Sequence, residues 1–298
     1  MKKILLVSLL FFESLLSQNS TLITVLGTVQ DGGLPHIGCD KKCCENPSYD
    51  LKVTSLGLSL PNSEGFYLFE ASPDFSEQLR FMHRKYGSSL KGIFLTHAHI
   101  GHYTGLMYLG KEALGANNIP VYAMSKMSRF LTNNGPWSQL VSQSNIKLLN
   151  LNDNQLYNIS NNFSVKPVLV PHRDEFSETV GYFIYGSNKT AFFLPDIDKW
   201  DRWSTSLKDI VMSSDLLFID ATFYDNSEIN YRPIESIPHP FVVETMDLLK
   251  SLSKDDKKKI HFIHMNHTNP MLNPESNIAS KVIEEGFNIA KIGQTFEL

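Results

Sequence analysis

The sequence has few cysteines, no excess of basic residues and, beyond its first residues, no long hydrophobic run. Its three cysteines exclude a disulfide-based scaffold, which needs several pairs. Its 27 basic residues against 31 acidic residues give a net charge of -4, which excludes nucleic-acid binding through a basic patch. No stretch rich in proline, serine and glycine divides the chain. We therefore predict a single globular domain.

The N-terminal residues have the pattern of a secretory signal peptide. Lysines precede an apolar run over residues 4–12, which is shorter than the roughly 20 residues that a membrane-spanning helix needs. We predict a signal peptide over residues 1–17 and a mature domain over residues 18–298, with no membrane span after cleavage. This predicts export to a bacterial periplasm or secretion. An uncleaved anchor and a buried strand are the alternatives.

Hydrophobic patterning predicts strands that are separated at intervals by helices, which is typical of an α/β domain with two sheets between helices. Short β-rich runs are bounded by turn residues, whereas the helical windows have apolar residues at helical spacing. The predicted strands cover residues 21–28, 54–60, 65–72, 90–97, 119–124, 163–172, 180–186, 190–196, 215–224, 258–267 and 287–293. The predicted helices cover residues 72–87, 102–114, 241–252 and 274–285.

Histidines and aspartates recur where the predicted apolar strands end. A rigid sheet can present such side chains with little conformational freedom left to lose. Because these residues are far apart in the sequence, they converge only if their strands lie side by side. Imidazoles together with carboxylates suit zinc, and also iron or manganese. The residues at strand ends are His97, His172, Asp196, Asp220 and His264.

The motif "THAHIGH" resembles the HxHxDH signature of the metallo-β-lactamase superfamily. The later residues His172, Asp196 and His264 follow the order of that superfamily's metal ligands. Two branches resemble the chain most. The coenzyme PQQ synthesis protein B family is echoed by "LGTVQDGGLPHIGC", "ASPD", "THAHIGHYTGL" and "HMNHTNP", and the other branch is the cyclic phosphodiesterase branch near tRNase Z. The resemblance implies a four-layer αββα sandwich with metals at one edge.

The resemblance also implies two metal positions at this edge. One or two ions there would lower the pKa of bound water towards about 7 and polarise a carbonyl or phosphoryl oxygen. Asp198 is the alternative to Asp196 as a metal ligand, because residues two apart on a strand share a face. Carried over residue by residue, the first metal would be held by His97, His99 and His172, and the second by His102, Asp196 and His264, with Asp196 bridging both.

Gly101 departs from the signature, because the superfamily has an aspartate at that place. Glycine has no side chain that could bind a metal. The second position would then keep at most two protein ligands of its own besides the bridging carboxylate. We expect its metal to be weakly bound, absent, or completed by water. The missing negative charge would also favour an anionic group of the substrate, such as phosphate or carboxylate.

The clustered cysteines suggest a second kind of metal site. The cyclic phosphodiesterase branch carries a structural zinc held by N-terminal cysteines and by a histidine three residues past the last catalytic histidine. A Cys₃His set closes a tetrahedral zinc site. Adjacent cysteines are awkward co-ligands, His36 is an alternative fourth ligand, and a disulfide is the rival interpretation. The residues that match are Cys39, Cys43, Cys44 and His267.

Asp220 and His239 match positions beside the metals on the tRNase Z side of the superfamily. The resemblance implies that His239 is a general acid that protonates the leaving group. The alternative is that His239 only shapes the turn before a helix, between Pro238 and Pro240. Both residues are therefore candidate catalytic residues.

These observations lead to an exported metal-dependent hydrolase as the first functional hypothesis. It would use metal-bound hydroxide to cleave an ester or phosphodiester of a small-molecule substrate. An iron-dependent oxidase or hydroxylase resembling coenzyme PQQ synthesis protein B is the second hypothesis. A metal-binding protein without turnover is the third, because Gly101 removes one expected ligand. β-Lactamase activity is not expected, since the motifs resemble other branches.

Overall fold

The computed structural model describes residues 20–45, 51–173, 175–229 and 237–298. The predicted signal peptide over residues 1–17 lies outside these residues. None of the helices in the described ranges combines the length and the apolar character that crossing a bilayer requires.

The first sheet contains seven strands in the described residues. They are β1 (Leu22–Gly27), β2 (Ser55–Ser59), β3 (Phe66–Phe69), β4 (Leu90–Phe94), β5 (Ile119–Met124), β6 (Ile146–Leu151) and β14 (Thr295–Glu297). Their order is β14-β1-β2-β3-β4-β5-β6. The pairs from β14 to β3 are antiparallel, and the pairs from β3 to β6 are parallel. Strands β1, β3 and β4 therefore run in the same direction.

The second sheet also contains seven strands in the part of the chain that the structure describes, and it too combines antiparallel with parallel pairs. The strands are β7 (Tyr157–Ser160), β8 (Phe163–Leu169), β9 (Val180–Tyr185), β10 (Thr190–Leu194), β11 (Leu216–Asp220), β12 (Ile260–Ile263) and β13 (Asn288–Ile289), in the order β13-β12-β11-β10-β9-β8-β7. The pairs from β7 to β10 are antiparallel, and those from β10 to β13 are parallel. Strands β8, β10, β11 and β12 therefore end at one edge of the sheet.

Seven of the helices in the described residues cover the outer faces of the two sheets. The helices of this part of the chain are α1 (Lys42–Glu45), α2 (Phe75–Tyr86), α3 (Ile100–Tyr103), α4 (Ser125–Asn133), α5 (Trp137–Ser142), α6 (Leu207–Met212), α7 (Val242–Leu248), α8 (Lys254–Lys257) and α9 (Asn277–Glu284). One apolar cluster packs α2 to α5 on the first sheet, and a second packs α6, α7 and α9 on the second sheet. A third cluster fills the space between the sheets.

The core between the sheets is rich in aromatic side chains. Phe69 and Phe94 of the first sheet stack with ring centroids 4.8 Å apart, and Tyr182 of the second sheet meets both rings edge-on. The hydroxyl of buried Tyr182 donates to the Leu95 carbonyl at 2.5 Å, so its polar atom has a partner. Each such buried ring contributes about 2 kcal/mol or more of hydrophobic free energy. These contacts join the sheets, and the resulting αββα layers confirm the predicted sandwich.

The predicted helix over residues 102–114 was wrong in extent. The structure has the short helix α3, followed by a 3-10 helix over Thr104–Leu109. Gly105 allows the close approach here, because a Cβ at this residue would lie 2.1 Å from the Ser72 carbonyl oxygen. The Gly105 N–H donates to the Ala71 carbonyl at 2.8 Å. This anchors the segment after the "THAHIGH" motif against the loop that follows β3.

Candidate metal centre

The carboxyl ends of three strands, one from the first sheet and two from the second, bring the first group of donors together. His97 and His99 follow β4, His172 follows β8, and Asp196 follows β10. Their donor atoms lie within 4.8 Å of one another. His97 Nε2 is 3.3 Å and His172 Nε2 is 3.1 Å from Asp196 Oδ2. The ligands of a tetrahedral zinc lie about 3.3 Å apart, so this group fits one metal ion.

His99 contributes its Nδ1 atom to the first group, whereas His97 and His172 contribute Nε2. His99 Nδ1 lies 2.8 Å from His97 Nε2, 3.3 Å from His172 Nε2 and 3.8 Å from Asp196 Oδ2. His99 Nε2 faces Glu175 Oε2 at 3.4 Å. The nitrogen that would face a metal is therefore Nδ1 in His99 but Nε2 in His97 and His172.

A second group of donors lies beside the first. It consists of Asp31 Oδ1 and the imidazoles of His102 and His264, whose donor atoms also lie within 4.8 Å of one another. Asp31 Oδ1 is 3.1 Å from His102 Nε2 and 3.6 Å from His264 Nε2. All three atoms are buried and have no hydrogen-bond partner. Buried polar atoms without partners are rare, and a shared metal ion would satisfy all of them.

Asp196 lies between the two groups. Its Oδ2 atom is 4.0 Å from His102 Nε2, and Asp196 also groups with Asp220 and His264. The rival residue Asp198 does not join either group. It accepts instead from His172 Nδ1 at 3.1 Å and from Arg202 Nη1 at 2.8 Å. The structure therefore favours Asp196 as the shared donor and places Asp198 behind His172.

Asp31 was not identified from the sequence, and it changes the account of Gly101. A Cβ on Gly101 would lie 2.1 Å from Asp31 Oδ1, so the Asp31 carboxylate occupies the space next to this glycine. The sequence argument for an anionic substrate depended on a missing carboxylate. Since Asp31 places a carboxylate at this position, that argument no longer supports an anionic substrate.

Glu70 is a further residue that the sequence did not reveal. It follows β3, is fully buried, and has a positive φ of 79°. Its Oε1 atom lies 3.2 Å from His102 Nδ1 and accepts the Thr96 hydroxyl at 2.5 Å. Thr96 Oγ1 in turn lies 2.9 Å from His97 Nδ1. Glu70 therefore orients one histidine of each group, as outer carboxylates do in metal sites.

His239 and Asp220 lie at the same edge, next to Asp196. His239 Nδ1 is 2.9 Å from Asp220 Oδ2 and 3.1 Å from Asp196 Oδ1. Asp220 also accepts from the Thr222 N–H and hydroxyl, at 2.8 and 2.7 Å. The Thr222 hydroxyl lies 3.2 Å from His264 Nδ1. Thr222 therefore connects the His239 pair to the second donor group.

The electrostatics follow from burying several ionisable groups together. Burial would raise the pKa of Asp196, but the His172 and His239 imidazoles hold it well below its usual value. Burial would lower the pKa of His172, yet the Asp196 carboxylate raises it to about 9. Burial and the nearby His102 lower the pKa of His97 well below its usual value. Metal binding would therefore displace protons from part of the site.

The cysteine cluster forms a separate group around the loop before α1. Cys39 Sγ, Cys44 Sγ and a His267 nitrogen lie within 4.8 Å of one another, whereas Cys43 is not part of this group. All three cysteines are free thiols in the structure. Burial raises the pKa of the Cys44 thiol to about 11, and the neighbouring Cys39 contributes to this rise. The His36 ring lies 4.3 Å from the His267 ring and stays the alternative fourth ligand.

The fold and the two donor groups define a metalloprotein of the αββα sandwich class. Residues 66–265 match the family described as the beta-lactamase superfamily domain. The chain therefore belongs to this superfamily, which confirms the resemblance found in the sequence.

Several individual proteins are also similar to this chain in sequence or structure. Coenzyme PQQ synthesis protein B from Acinetobacter baumannii (strain ACICU) is 23% identical over 309 residues, covering 93% of this chain and 99% of the relative. Zinc-bound PqqB from Methylobacterium extorquens has a similar structure, with a TM-score of 0.77, 21% identity, and coverage of 93% of this chain and 100% of that chain. A diphosphatase from the PhnP family gives a TM-score of 0.68, 22% identity, and coverage of 93% and 97%. Human tRNase Z, short form, shares the fold with a TM-score of 0.55, 16% identity, and coverage of 93% and 98%.

Proposed function

We propose that this protein is a metal-dependent hydrolase that cleaves an ester or phosphodiester bond in a small-molecule substrate. The observation that carries the proposal is the pair of adjacent donor groups with Asp196 between them. Histidine nitrogens with carboxylate oxygens suit zinc, with iron and manganese as alternatives. A zinc-bound structure among the similar proteins supports zinc as the first candidate.

The metal ions, when bound, would activate a water molecule at neutral pH and polarise the bond to be cleaved. The protein's own part is to fix the donors in place. His97, His102 and His172 each direct Nε2 into the site. Their Nδ1 atoms face Thr96 Oγ1 at 2.9 Å, Glu70 Oε1 at 3.2 Å and Asp198 Oδ1 at 3.1 Å, respectively. This preorganisation keeps the donor geometry from relaxing when a substrate binds.

His239 is the proposed proton donor to the leaving group. Burial would lower the pKa of His239, but the carboxylates of Asp196 and Asp220 raise it well above its usual value and favour the protonated ring. With Nδ1 engaged by Asp220, Nε2 is the nitrogen available to protonate a leaving oxygen. Asp220 would then hold the ring in place and stay out of the reaction itself.

A second candidate function is iron-dependent oxidation or hydroxylation. The observation that favours it is the match to coenzyme PQQ synthesis protein B over almost the whole length of both chains. Histidine and carboxylate donors also bind iron. Oxygen consumption by the iron-loaded protein, absent from the zinc-loaded protein, would support this candidate over hydrolysis.

A substrate panel tests the hydrolase proposal. Protein loaded with zinc, manganese or iron is assayed with phosphodiesters, lactones and β-lactams, beside a His99→Ala variant. We expect turnover of a phosphodiester or another ester, and its loss in His99→Ala. If no substrate is turned over faster than by the variant, the proposal fails and a metal-binding role without turnover gains support.

Export of the protein stays a prediction from residues 1–17, which lie outside the described residues. Expression in a bacterial host, followed by cell fractionation and N-terminal sequencing, tests it. We expect periplasmic or secreted protein whose first residue is close to Gln18. Full-length protein in the cytoplasm would contradict this prediction.

A further inference from the structure

The contact between Gly101 and Asp31 points to an exchanged metal ligand. We infer that Asp31 supplies to the second metal position the carboxylate that the sequence motif lacks at position 101. The inference rests on the metal centre of the proposed function and not on the reaction. It replaces the expectation of a weak second position with a complete one: Asp31, His102, His264 and the shared Asp196.

The backbone around Asp31 holds this residue beside His264. The Gln30 N–H donates to the Met265 carbonyl at 2.9 Å, and the Met265 N–H donates to the Thr28 carbonyl at 2.9 Å. The Gly33 N–H closes a turn onto the Gln30 carbonyl at 2.8 Å, and Gly33 supplies the positive φ of 70°. Asp31 therefore lies in a turn that is fixed against the loop carrying His264.

The donor atoms are arranged for a shared ion and not for a hydrogen bond. Asp31 Oδ1 lies 3.1 Å from His102 Nε2, close enough to pair, yet the two atoms lack hydrogen-bond geometry. His264 Nε2 lies 3.6 Å from the same oxygen, which is beyond hydrogen-bond distance, and it has no other hydrogen-bond partner. Ligands of one metal ion have this relationship, because their lone pairs point to a common centre and not at each other.

Gly101 and Asp31 depend on each other sterically. A Cβ at position 101 would lie 2.1 Å from Asp31 Oδ1 and 2.8 Å from Asp31 Cα. The contact with Cα involves the backbone, so rotation of the Asp31 side chain would not relieve it. The chain can therefore carry a side chain at position 101 or the Asp31 carboxylate in this place, but not both.

Metal counting without substrate tests the inference. Wild-type protein, Asp31→Asn and the control Asp255→Asn are loaded with zinc and dialysed, and zinc content and affinity are measured by mass spectrometry and chelator competition. Asp255 is an exposed carboxylate on α8, and its change removes the same charge. We expect Asp31→Asn to lose one zinc per chain, or to bind it at least 100-fold more weakly, while Asp255→Asn matches the wild type. Unchanged zinc content and affinity in Asp31→Asn would overturn the inference.

Circular dichroism would show whether Asp31→Asn folds, and two further variants test the inference if it does not. Gly101→Ala keeps Asp31 but displaces it, so we expect the same loss of one zinc. Asp31→Glu keeps a carboxylate in this turn and leaves Gly101 unchanged, and we expect it to retain more zinc than Gly101→Ala. Full zinc binding by Gly101→Ala, or no more zinc in Asp31→Glu than in Gly101→Ala, would count against the inference. Normal zinc content in an inactive protein would count against the hydrolase proposal alone.

Discussion

The Nδ1 atom of His239 lies 2.9 Å from Oδ2 of Asp220, and both side chains are buried at the edge that carries the metal donors. If His239 protonates the leaving group, its replacement should slow substrates with poor leaving groups most. We expect His239→Ala to lower kcat about 100-fold or more for an alkyl phosphodiester or alkyl ester. For a nitrophenyl leaving group, which needs no proton, the loss should be much smaller. Steady-state kinetics on the matched pair of substrates provides the measurement.

Asp220→Asn serves as the companion variant for this prediction. The amide keeps the size of the side chain but removes the charge that favours protonated His239. We expect a smaller loss of kcat, with the same dependence on the leaving group and with unchanged zinc content. An equal loss on both substrates, or a lost zinc ion, would show that the pair supports the metal site and does not supply a proton.

Glu70 should control the metal affinity of both donor groups. Its carboxylate contacts His102 directly and reaches His97 through Thr96. Loss of such an outer partner weakens metal binding by about 10- to 100-fold. We therefore expect Glu70→Gln to lose its zinc at a chelator concentration that is lower by the same factor than for the wild type. Glu77→Gln, which changes an exposed carboxylate of α2, is the control, and equal affinities for the two variants would contradict the prediction.

The cysteine group predicts a zinc ion that stabilises the fold. Burial, with His36 and Lys41 nearby, lowers the pKa of His267 to about 4, so this ring is neutral and able to bind metal at neutral pH. We expect Cys39→Ser and Cys44→Ser each to lose one zinc per chain and to lower the melting temperature. Cys43→Ser is the matched control, since Cys43 lies outside the group. Equal zinc content in all three variants would contradict a Cys39–Cys44–His267 site.

Glu228 predicts a dependence of stability on pH. Burial raises the pKa of this carboxyl from 4.5 to about 7, while its bonds from the Tyr224 N–H and the Thr268 hydroxyl oppose the shift. Because the folded state holds the proton more tightly, this contribution to stability is complete below about pH 4.5 and is lost as the pH rises through 7. It amounts to at most about 3 kcal/mol.

The variant Glu228→Gln tests this sign. It removes the titration, so its stability relative to the wild type should increase between pH 5.5 and pH 8. Urea unfolding of both proteins at the two pH values gives the difference. Glu77→Gln, on an exposed surface, should show no such change, and a constant difference for Glu228→Gln would contradict the raised pKa.

The strand pattern and most donor positions were predictable because they depend on local sequence. Apolar runs that end in His97, His172, Asp196 and His264 form β4, β8, β10 and β12, as predicted. Strands β8, β10 and β12 end at one edge of the second sheet, and β4 of the first sheet ends beside them. The metallo-β-lactamase signature added the expected order of the ligands, and the match over residues 66–265 confirms the superfamily.

Asp31 and Glu70 were not predictable, because their roles depend on contacts that are distant in sequence. Asp31 stands in "QDGG", where an aspartate before glycines is typical of a turn, and only its approach to His102 and His264 gives it a further role. Glu70 follows β3 with an unusual backbone conformation that no pattern predicts. Strands β6, β7 and β14 were also missed, since their sequences have weak alternation and partly exposed faces.

Each donor group draws its side chains from both sheets. Asp31, His97, His99 and His102 follow strands of the first sheet, whereas His172, Asp196 and His264 follow strands of the second. A half-folded chain with only one sheet in place therefore has no complete set of donors. Metal binding would therefore require that the two sheets have packed together, and a bound ion would stabilise the contact between them. Chelation should accordingly loosen the interface between the sheets before it unfolds either one.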